Sequence, residues 1–396
     1  MADTPDRPLH ILVLIHRQND TSPYCFYVHD QVCALRAAGH TVTVISPIAT
    51  LPGYRWLRPA AARILRATPQ DAVVDGIPVH YPRYAALGNA GLRLLGGLPE
   101  YLAALPIARR LHREKPFDIL HAHMLPMDGH AGLLLSRALG IPLALTVHGT
   151  DVLRYFPKPW RRNRRIAQRA DVLMAVSGML AARVAPYRTR PVEVVHNGID
   201  LSLVPARCEN RPRRIVSGGT LKARKCMHTT LDAFSALAEQ FHDATLTIFG
   251  TGEDEASLRA KVAARSLENR VQLVGGLPHA KVLQLMGESD AFVMPSYGEG
   301  FGIVYIEAMA AGCVAVGSVG EGIAEVITDG VNGYLVPAAD TEALTARLRA
   351  ILHSGSDVEA VRLCGIQTAR AMTWAVNAER CTALYRAALE NRRTGR

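Results

Sequence analysis

Short apolar runs rich in β-branched residues alternate with amphipathic runs of helical period along most of the chain. Residues 10–15 read as a buried strand, 26–38 as a helix closing at Gly39, and 41–46 as the next strand. Further strands are predicted at 118–121, 142–147, 172–176 and 192–195, with helical segments between them. The pattern lapses over residues 200–213, which carry Pro205, Pro212 and several charges without a period, and this stretch reads as a linker. Strands resume at 214–217, 244–249, 271–274, 291–294 and 313–317. Helices are predicted at 229–240, 254–264 and 303–311, and residues 341–393 are almost entirely helical in pattern. Strand–helix alternation of this kind predicts parallel sheets covered by helices on both faces.

Two such halves joined by one linker imply a cleft between them, and ligands of open α/β sheets bind beyond the carboxyl ends of strands. One large domain is the alternative, but 396 residues exceed the usual limit of a single core. The expected division is residues 1–200, a linker at 201–213, a second domain at 214–375, and a C-terminal helix at 376–396 that crosses back to the first. A composition of 49% hydrophobic and 20% charged residues argues against disorder. No apolar run reaches the ~18 residues of a spanning helix, and residues 1–8 lack the apolar core of a signal peptide. A cytoplasmic protein is expected. The seven cysteines form no C-x-x-C pair and read as buried free thiols. Among fifteen histidines the closest pair is His121-Ala122-His123, with no third ligand in sight, so no metal is expected.

The richest chemistry follows the strand predicted at 291–294. There the chain reads Met294-Pro295-Ser296-Tyr297-Gly298-Glu299-Gly300-Phe301-Gly302-Ile303-Val304-Tyr305-Ile306-Glu307, continuing to Gly312. Glycines ahead of a helix let the backbone approach a ligand. The N–H groups of the first turn, from Phe301 to Val304, then point at it and favour an anion such as a phosphate. Glu299 and Glu307 flank this point, and a carboxylate accepts two hydrogen bonds from a vicinal diol. The bland alternative is a glycine turn followed by a solvated helix.

The segment Glu-Gly-Phe-Gly-x4-Glu-Ala-Met-Ala-x-Gly resembles the signature of retaining glycosyltransferases of family 4, which have the GT-B fold. The resemblance implies an α/β, GT-B architecture of two Rossmann-like doubly wound domains facing a central cleft. It implies Glu307 as the residue holding the donor ribose and Glu299 as a contact to the transferred sugar. Gly300, Phe301, Gly302, Ile303 and Val304 are then main-chain contacts to sugar and phosphate.

Other segments extend the likeness. Gly218-Gly219-Thr220-Leu221-Lys222-Ala223-Arg224-Lys225 is a glycine pair with a cationic loop, a plausible diphosphate clamp. It is similar to the family's Gly-Arg-Leu-x3-Lys stretch, with Lys225 in the lysine place and Gly219 and Thr220 as donor contacts. Thr220 stands where the family usually has arginine, leaving Lys222 or Arg224 to replace that cation. The resemblance places the nucleobase near Leu277, through backbone contacts that do not name the base. Gly250-Thr251-Gly252 is a lone G-x-G, equally a tight turn. In the first half, Thr146-Val147-His148-Gly149-Thr150-Asp151 follows a strand, and the likeness implies His148 as a group near the transferred sugar. A structural loop histidine is the alternative. Asp151 orients His148, binds an acceptor hydroxyl or caps the next helix; the sequence leaves all three open. His29-Asp30-Gln31 is similar to a subgroup acting in teichuronic acid and exopolysaccharide synthesis.

The formal charge of +10 is compatible with nucleic acid, an anionic membrane or phosphate-bearing substrates. Arginines and aromatics concentrate from Arg154 to Arg165 and again from Tyr54 to Arg66. Either run suits an anionic bilayer surface bearing a lipid-linked acceptor, or is an ordinary solvated face. No nucleic-acid motif accompanies the charge. The resulting expectation is an enzyme that moves a sugar, with retention, from a UDP- or GDP-sugar to a glycan or lipid-linked acceptor, without a cofactor. Catalysis is assigned to His148, Glu299 and Lys225. A GT-B sugar-nucleotide epimerase and a non-catalytic nucleotide-sugar-binding protein are the alternatives.

Overall fold

The computed structural model describes residues 7–16, 24–50, 68–85, 95–155, 161–208 and 213–395. The chain divides into two compact units, one of Met1–Asn197 with Trp374–Arg396 and one of Gly198–Thr373.

In the first unit the strands are β1 (His10–Leu14), β2 (Thr41–Ile45), β3 (Ile48–Thr50), β4 (Asp71–Val74), β5 (Ile77–His80), β6 (Arg83–Ala85), β7 (Ile119–His123), β8 (Leu143–Val147), β9 (Val172–Ala175) and β10 (Glu193–Val194). Eight of them form one sheet in the order β10-β9-β8-β7-β1-β2-β5-β4, and β3 pairs with β6 apart from it. Every pairing is parallel except β4 with β5. The central strands β1, β7 and β8 are buried at all five positions, as a parallel sheet covered on both faces requires. The β4–β5 hairpin does not appear in the sequence-based reading. Its signal is Asp75-Gly76, a two-residue turn with φ of 49° and 72°, the combination that joins antiparallel strands with the right twist.

The helix Trp374–Arg393 packs on the helix Phe26–Ala37 and buries Tyr385 in the core of this unit. Polar contacts fix its register. Gln31 Nε2 donates to Asn377 Oδ1 at 2.7 Å, and Asn377 Nδ2 donates to the His196 carbonyl at 2.7 Å.

The second unit holds β11 (Arg214–Gly218), β12 (Thr245–Phe249), β13 (Val271–Gly275), β14 (Ala291–Val293), β15 (Val314–Ser318) and β16 (Tyr334–Val336). They form one parallel sheet in the order β13-β12-β11-β14-β15-β16. The chain winds outward from β11 through β12 to β13, then returns to the other side of β11 as β14. The topological switch therefore lies between β11 and β14, and the loops leaving those two strands face each other. In the first unit the same reversal falls between β1 and β7.

The described part of the stretch read as a linker carries local structure of its own. Leu201–Leu203 forms a helical turn capped by Asp200. Arg207 donates to the Gly312 carbonyl and pairs with Asp290 at 3.3 Å, so this segment is anchored on the second unit by its own guanidinium. Four cysteines are buried, Cys33 and Cys364 are partly exposed and Cys208 is exposed; all are free thiols. Among the described residues no helix is long and apolar enough to cross a membrane.

Candidate functional site

The loops at the switch point of the second unit carry most of the residues singled out by the sequence. Glycine 302 sits at φ +85° as the residue before the helix Ile303–Ala310, and a Cβ there would lie 2.6 Å from the Tyr305 ring. Only glycine brings the chain into the helix at this angle. Tyr305 is fully buried, and its hydroxyl donates to the Met294 carbonyl at 2.5 Å, tying the helix back to the end of β14. The first-turn N–H groups of Gly302, Ile303 and Val304 have no preceding helical carbonyl to bond, so the helix end is electropositive.

Glu299 meets two cations here. Lys225 Nζ donates to its carboxylate at 2.5 Å, and Arg224 lies 3.4 Å from the same oxygen. Lys225 is itself buried, at the end of the helical turn Ala223–Lys225 that follows β11. Lys222 and Thr220 are exposed. The cation nearest Glu299 besides Lys225 is thus Arg224, not Lys222.

The loop that carries Glu299 is held by a residue the sequence-based reading missed. The Glu321 carboxylate accepts from the N–H groups of Gly298 at 3.0 Å and Glu299 at 2.7 Å. Glu321 follows β15 and belongs to no recognisable motif, so only the fold brings it to the loop.

The turns after β11, β12 and β13 interlock. Gly219 N–H donates to the Phe249 carbonyl, Leu221 N–H to Thr251, and Gly250 N–H to Gly275. A Cβ on Gly250 would lie 1.8 Å from the Gly219 carbonyl oxygen. The lone G-x-G therefore marks the close crossing of two loops. Leu277, partly buried, follows the third of these turns and precedes the helix His279–Gly287. His279, also missed from the sequence, brings Nε2 to 2.7 Å from Glu307 Oε1.

In the first unit, His148 follows β8. Its Nε2 is 2.9 Å from His123 Nδ1, and Tyr27 packs against its ring at 4.7 Å. His121 and His123 point to one face of β7, since they are two residues apart on a strand. His121 is held between the Tyr385 hydroxyl at 2.7 Å and Thr146 Oγ1 at 2.8 Å. His121 and His123 are thus both engaged in side-chain contacts within the core. Burial holds the pKa of His121 and of His148 down at about 3, and that of His123 well below the usual value, so all three imidazoles are neutral. The neighbouring imidazoles add to this effect for His121 and His123.

Asp151 is buried and accepts from the N–H groups of Leu125, His148 and Gly149 at 2.9–3.1 Å. It joins the turn after β7 to the His148 loop. Both its oxygens are engaged by main chain, which favours the orienting role over the acceptor contact or the helix cap. At the switch point of this unit, the buried Asp128 faces His16 Nδ1 at 2.9 Å. Burial raises the pKa of Asp128 well above the usual carboxylate range. Burial and the Asp128 charge do the same for Glu100.

Of the arginine-rich runs, Tyr54 to Arg66 and residues 156–160 lie outside the described residues. The helix Arg161–Arg169 presents Arg161, Arg164, Arg165 and Arg169 on an exposed face and buries Asn163, Ile166 and Ala167.

Comparison with known proteins bears on the same segments. The profile described as "Glycosyltransferase Family 4" matches residues 26–203, and that described as "Glycosyl transferases group 1" matches residues 206–365. The chain is 36% identical over 292 residues to a phosphatidyl-myo-inositol mannosyltransferase of Mycobacterium leprae, covering 70% of this chain and 75% of that one. Among solved structures, sucrose-phosphate synthase from Thermosynechococcus elongatus superposes with a TM-score of 0.78 at 19% identity, over 96% of this chain and 98% of the other. HepE from Anabaena in complex with UDP-glucose superposes with a TM-score of 0.69 at 19% identity, over 95% and 98%. The two parallel-sheet units have the GT-B fold, and the chain belongs to the family 4 glycosyltransferases.

Proposed function

We propose that the second unit binds a nucleotide-diphosphate sugar and that the enzyme transfers the sugar with retention to a glycan or lipid-linked acceptor in cell-surface polysaccharide or glycolipid synthesis. The observation that carries this reading is the meeting of Lys225 and Arg224 with Glu299 beside the open N-terminus of the helix Ile303–Ala310. Two cations and a helix N-terminus suit a diphosphate, and the neighbouring carboxylate suits sugar hydroxyls.

On this reading the diphosphate lies against Lys225, Arg224 and the N–H groups of Gly302, Ile303 and Val304, with Gly219 and Thr220 at its edge. Arg224 takes the part of the cation absent at Thr220. Gly300 and Phe301 shape the loop beside the sugar. The base lies near Leu277, and Glu307 holds the ribose diol, its geometry set by His279. Catalysis consists of positioning the sugar and stabilising the negative charge of the departing diphosphate. His148, kept neutral by burial, is suited to a hydrogen bond rather than a charge, and Asp151 and His123 fix its place. The exposed arginines 161, 164, 165 and 169 suit an anionic membrane surface carrying a lipid-linked acceptor.

A panel of UDP-, GDP- and ADP-sugars screened by thermal shift tests the donor site, followed by transfer assays with NMR assignment of the anomer formed. Stabilisation by one nucleoside diphosphate family, lost in Glu307→Ala, is expected. No stabilisation by any of them would overturn the donor assignment, and an inverted product would overturn retention.

A further inference from the structure

The helix Phe26–Ala37 carries His29 and Cys33, four residues apart and so on one face. The β4–β5 turn brings Asp75 against that face. His29 Nε2 lies 2.8 Å from Asp75 Oδ2 and 3.6 Å from Cys33 Sγ, and the three donor atoms fall within 4.8 Å of one another. We propose that His29, Cys33 and Asp75 form a binding site for a divalent transition metal of the zinc type, clipping this helix to the β4–β5 turn.

Three features support the assignment. The first is spacing. Zinc binds nitrogen at about 2.0–2.1 Å, thiolate sulfur at about 2.3 Å and carboxylate oxygen at about 2.0–2.2 Å. Tetrahedral angles then set N and S about 3.6 Å apart and N and O about 3.4 Å apart. The His29–Cys33 separation already meets this value. The His29–Asp75 pair has to open by about half an ångström, and the Asp75 side chain, 69% exposed, has room to do so.

The second feature is the support around the ligands. His29 Nδ1 is 3.0 Å from the hydroxyl of the fully buried Tyr24, leaving Nε2 as the nitrogen turned toward Cys33 and Asp75. A ligating histidine usually has its other nitrogen held in this way. Arg36 donates to the Asp75 carbonyl and fixes the turn. The third is chemistry. A mixed thiol, imidazole and carboxylate set favours zinc and its neighbours over calcium or magnesium. Metal binding forms the metal–sulfur bond and releases the thiol proton to solvent. A water completes the shell.

This site shares no residue with the donor loops or with His148, so its failure leaves the proposed transferase reading untouched. The test uses the full chain, reduced and freed of metal by chelation, titrated with Co2+. One equivalent is expected to produce a thiolate-to-cobalt charge-transfer band and tetrahedral d–d absorption. Both should vanish in Cys33→Ser and His29→Gln and persist in Cys208→Ser, which controls for the exposed cysteine. Tyr24→Phe should weaken affinity by about 10–100-fold with the bands retained. In the wild-type chain, Zn2+ should slow alkylation of Cys33, mapped by mass spectrometry, while leaving Cys208 unchanged. Bands that survive Cys33→Ser, no bands at all, or equal alkylation of both cysteines with and without Zn2+ would each overturn the site.

Discussion

Replacing Lys225 with methionine keeps most of the apolar stem of the side chain and removes its charge, which separates two contributions of this residue. Lys225 pairs with Glu299, and both side chains are largely buried, at 11% and 15% exposure. Breaking a buried pair from one side generally costs about 3–5 kcal/mol, because the remaining charge is left uncompensated. Here Arg224 stays within 3.4 Å of the same oxygen and takes up part of that charge. A destabilisation of about 1–3 kcal/mol is therefore expected for Lys225→Met. Urea unfolding of Lys225→Met, Glu299→Gln and the double variant measures it directly, with a coupling energy of similar size. If the two single effects simply add, within about 0.5 kcal/mol, the ion pair contributes nothing in solution and the argument from its geometry fails. On the proposed donor reading, the same substitution also removes a cation from the departing diphosphate. Transition-state groups of this kind are worth about 10²–10³ in kcat, so kcat should fall by that factor once a donor and acceptor are known. A kcat within about threefold of wild type, a barrier change below 1 kcal/mol, would remove Lys225 from the catalytic step while leaving its structural role intact.

The three imidazoles of the first unit predict a pH dependence of stability. In the folded chain their pKa values lie at about 3 for His121 and His148 and well below 6.5 for His123, whereas an unfolded histidine protonates near 6.5. Between these values the unfolded chain binds more protons, so this stability is complete above about pH 6.5 and is lost as pH falls toward 3. Each independent histidine contributes a slope of about 1.4 kcal/mol per pH unit. Urea midpoints from pH 7 to 4.5 should show a shallower slope in His123→Asn than in wild type, and an unchanged slope would refute the assignment. The same low values predict that kcat/KM shows no ionisation of His148 near pH 6.5. Gly302→Ala should lower donor affinity and stability together, since its Cβ would lie 2.6 Å from Tyr305 and the residue is held at positive φ. Calorimetric titration with the preferred nucleoside diphosphate checks it, and wild-type affinity would show that the helix entry tolerates a side chain.

The central strands were legible because they are buried on both faces and read as unbroken apolar runs. The β4–β5 hairpin was not, because it lies at the sheet margin and its strand β4 alternates exposed and partly exposed residues. Its Asp75-Gly76 turn was the available signal. Likewise β16, three residues long, carries too little pattern to distinguish from a loop. The stretch from 200 to 208 looked like a linker on composition alone; Arg207 binds it to the second unit through contacts some 80 to 105 residues away.

The candidate site divides along the same physical line. The loops after β11 and β14 rely on main-chain geometry, and such geometry demands glycine at fixed places in one contiguous stretch, so it leaves a mark in the sequence. Gly302 and the residues around it are readable for that reason. Glu321 holds the same loop through two N–H groups, yet any acid reaching that point would serve, and nothing nearby in the chain announces it. In the first unit the dependence on distant residues is stronger still. His148 rests on His123, 25 residues earlier, and His121 rests on Tyr385, 264 residues later. The environment of His148 is therefore a property of the folded core and of the returning C-terminal helix. A conservative change at Tyr385 should consequently perturb the His121 environment without touching any residue that the sequence marks as functional.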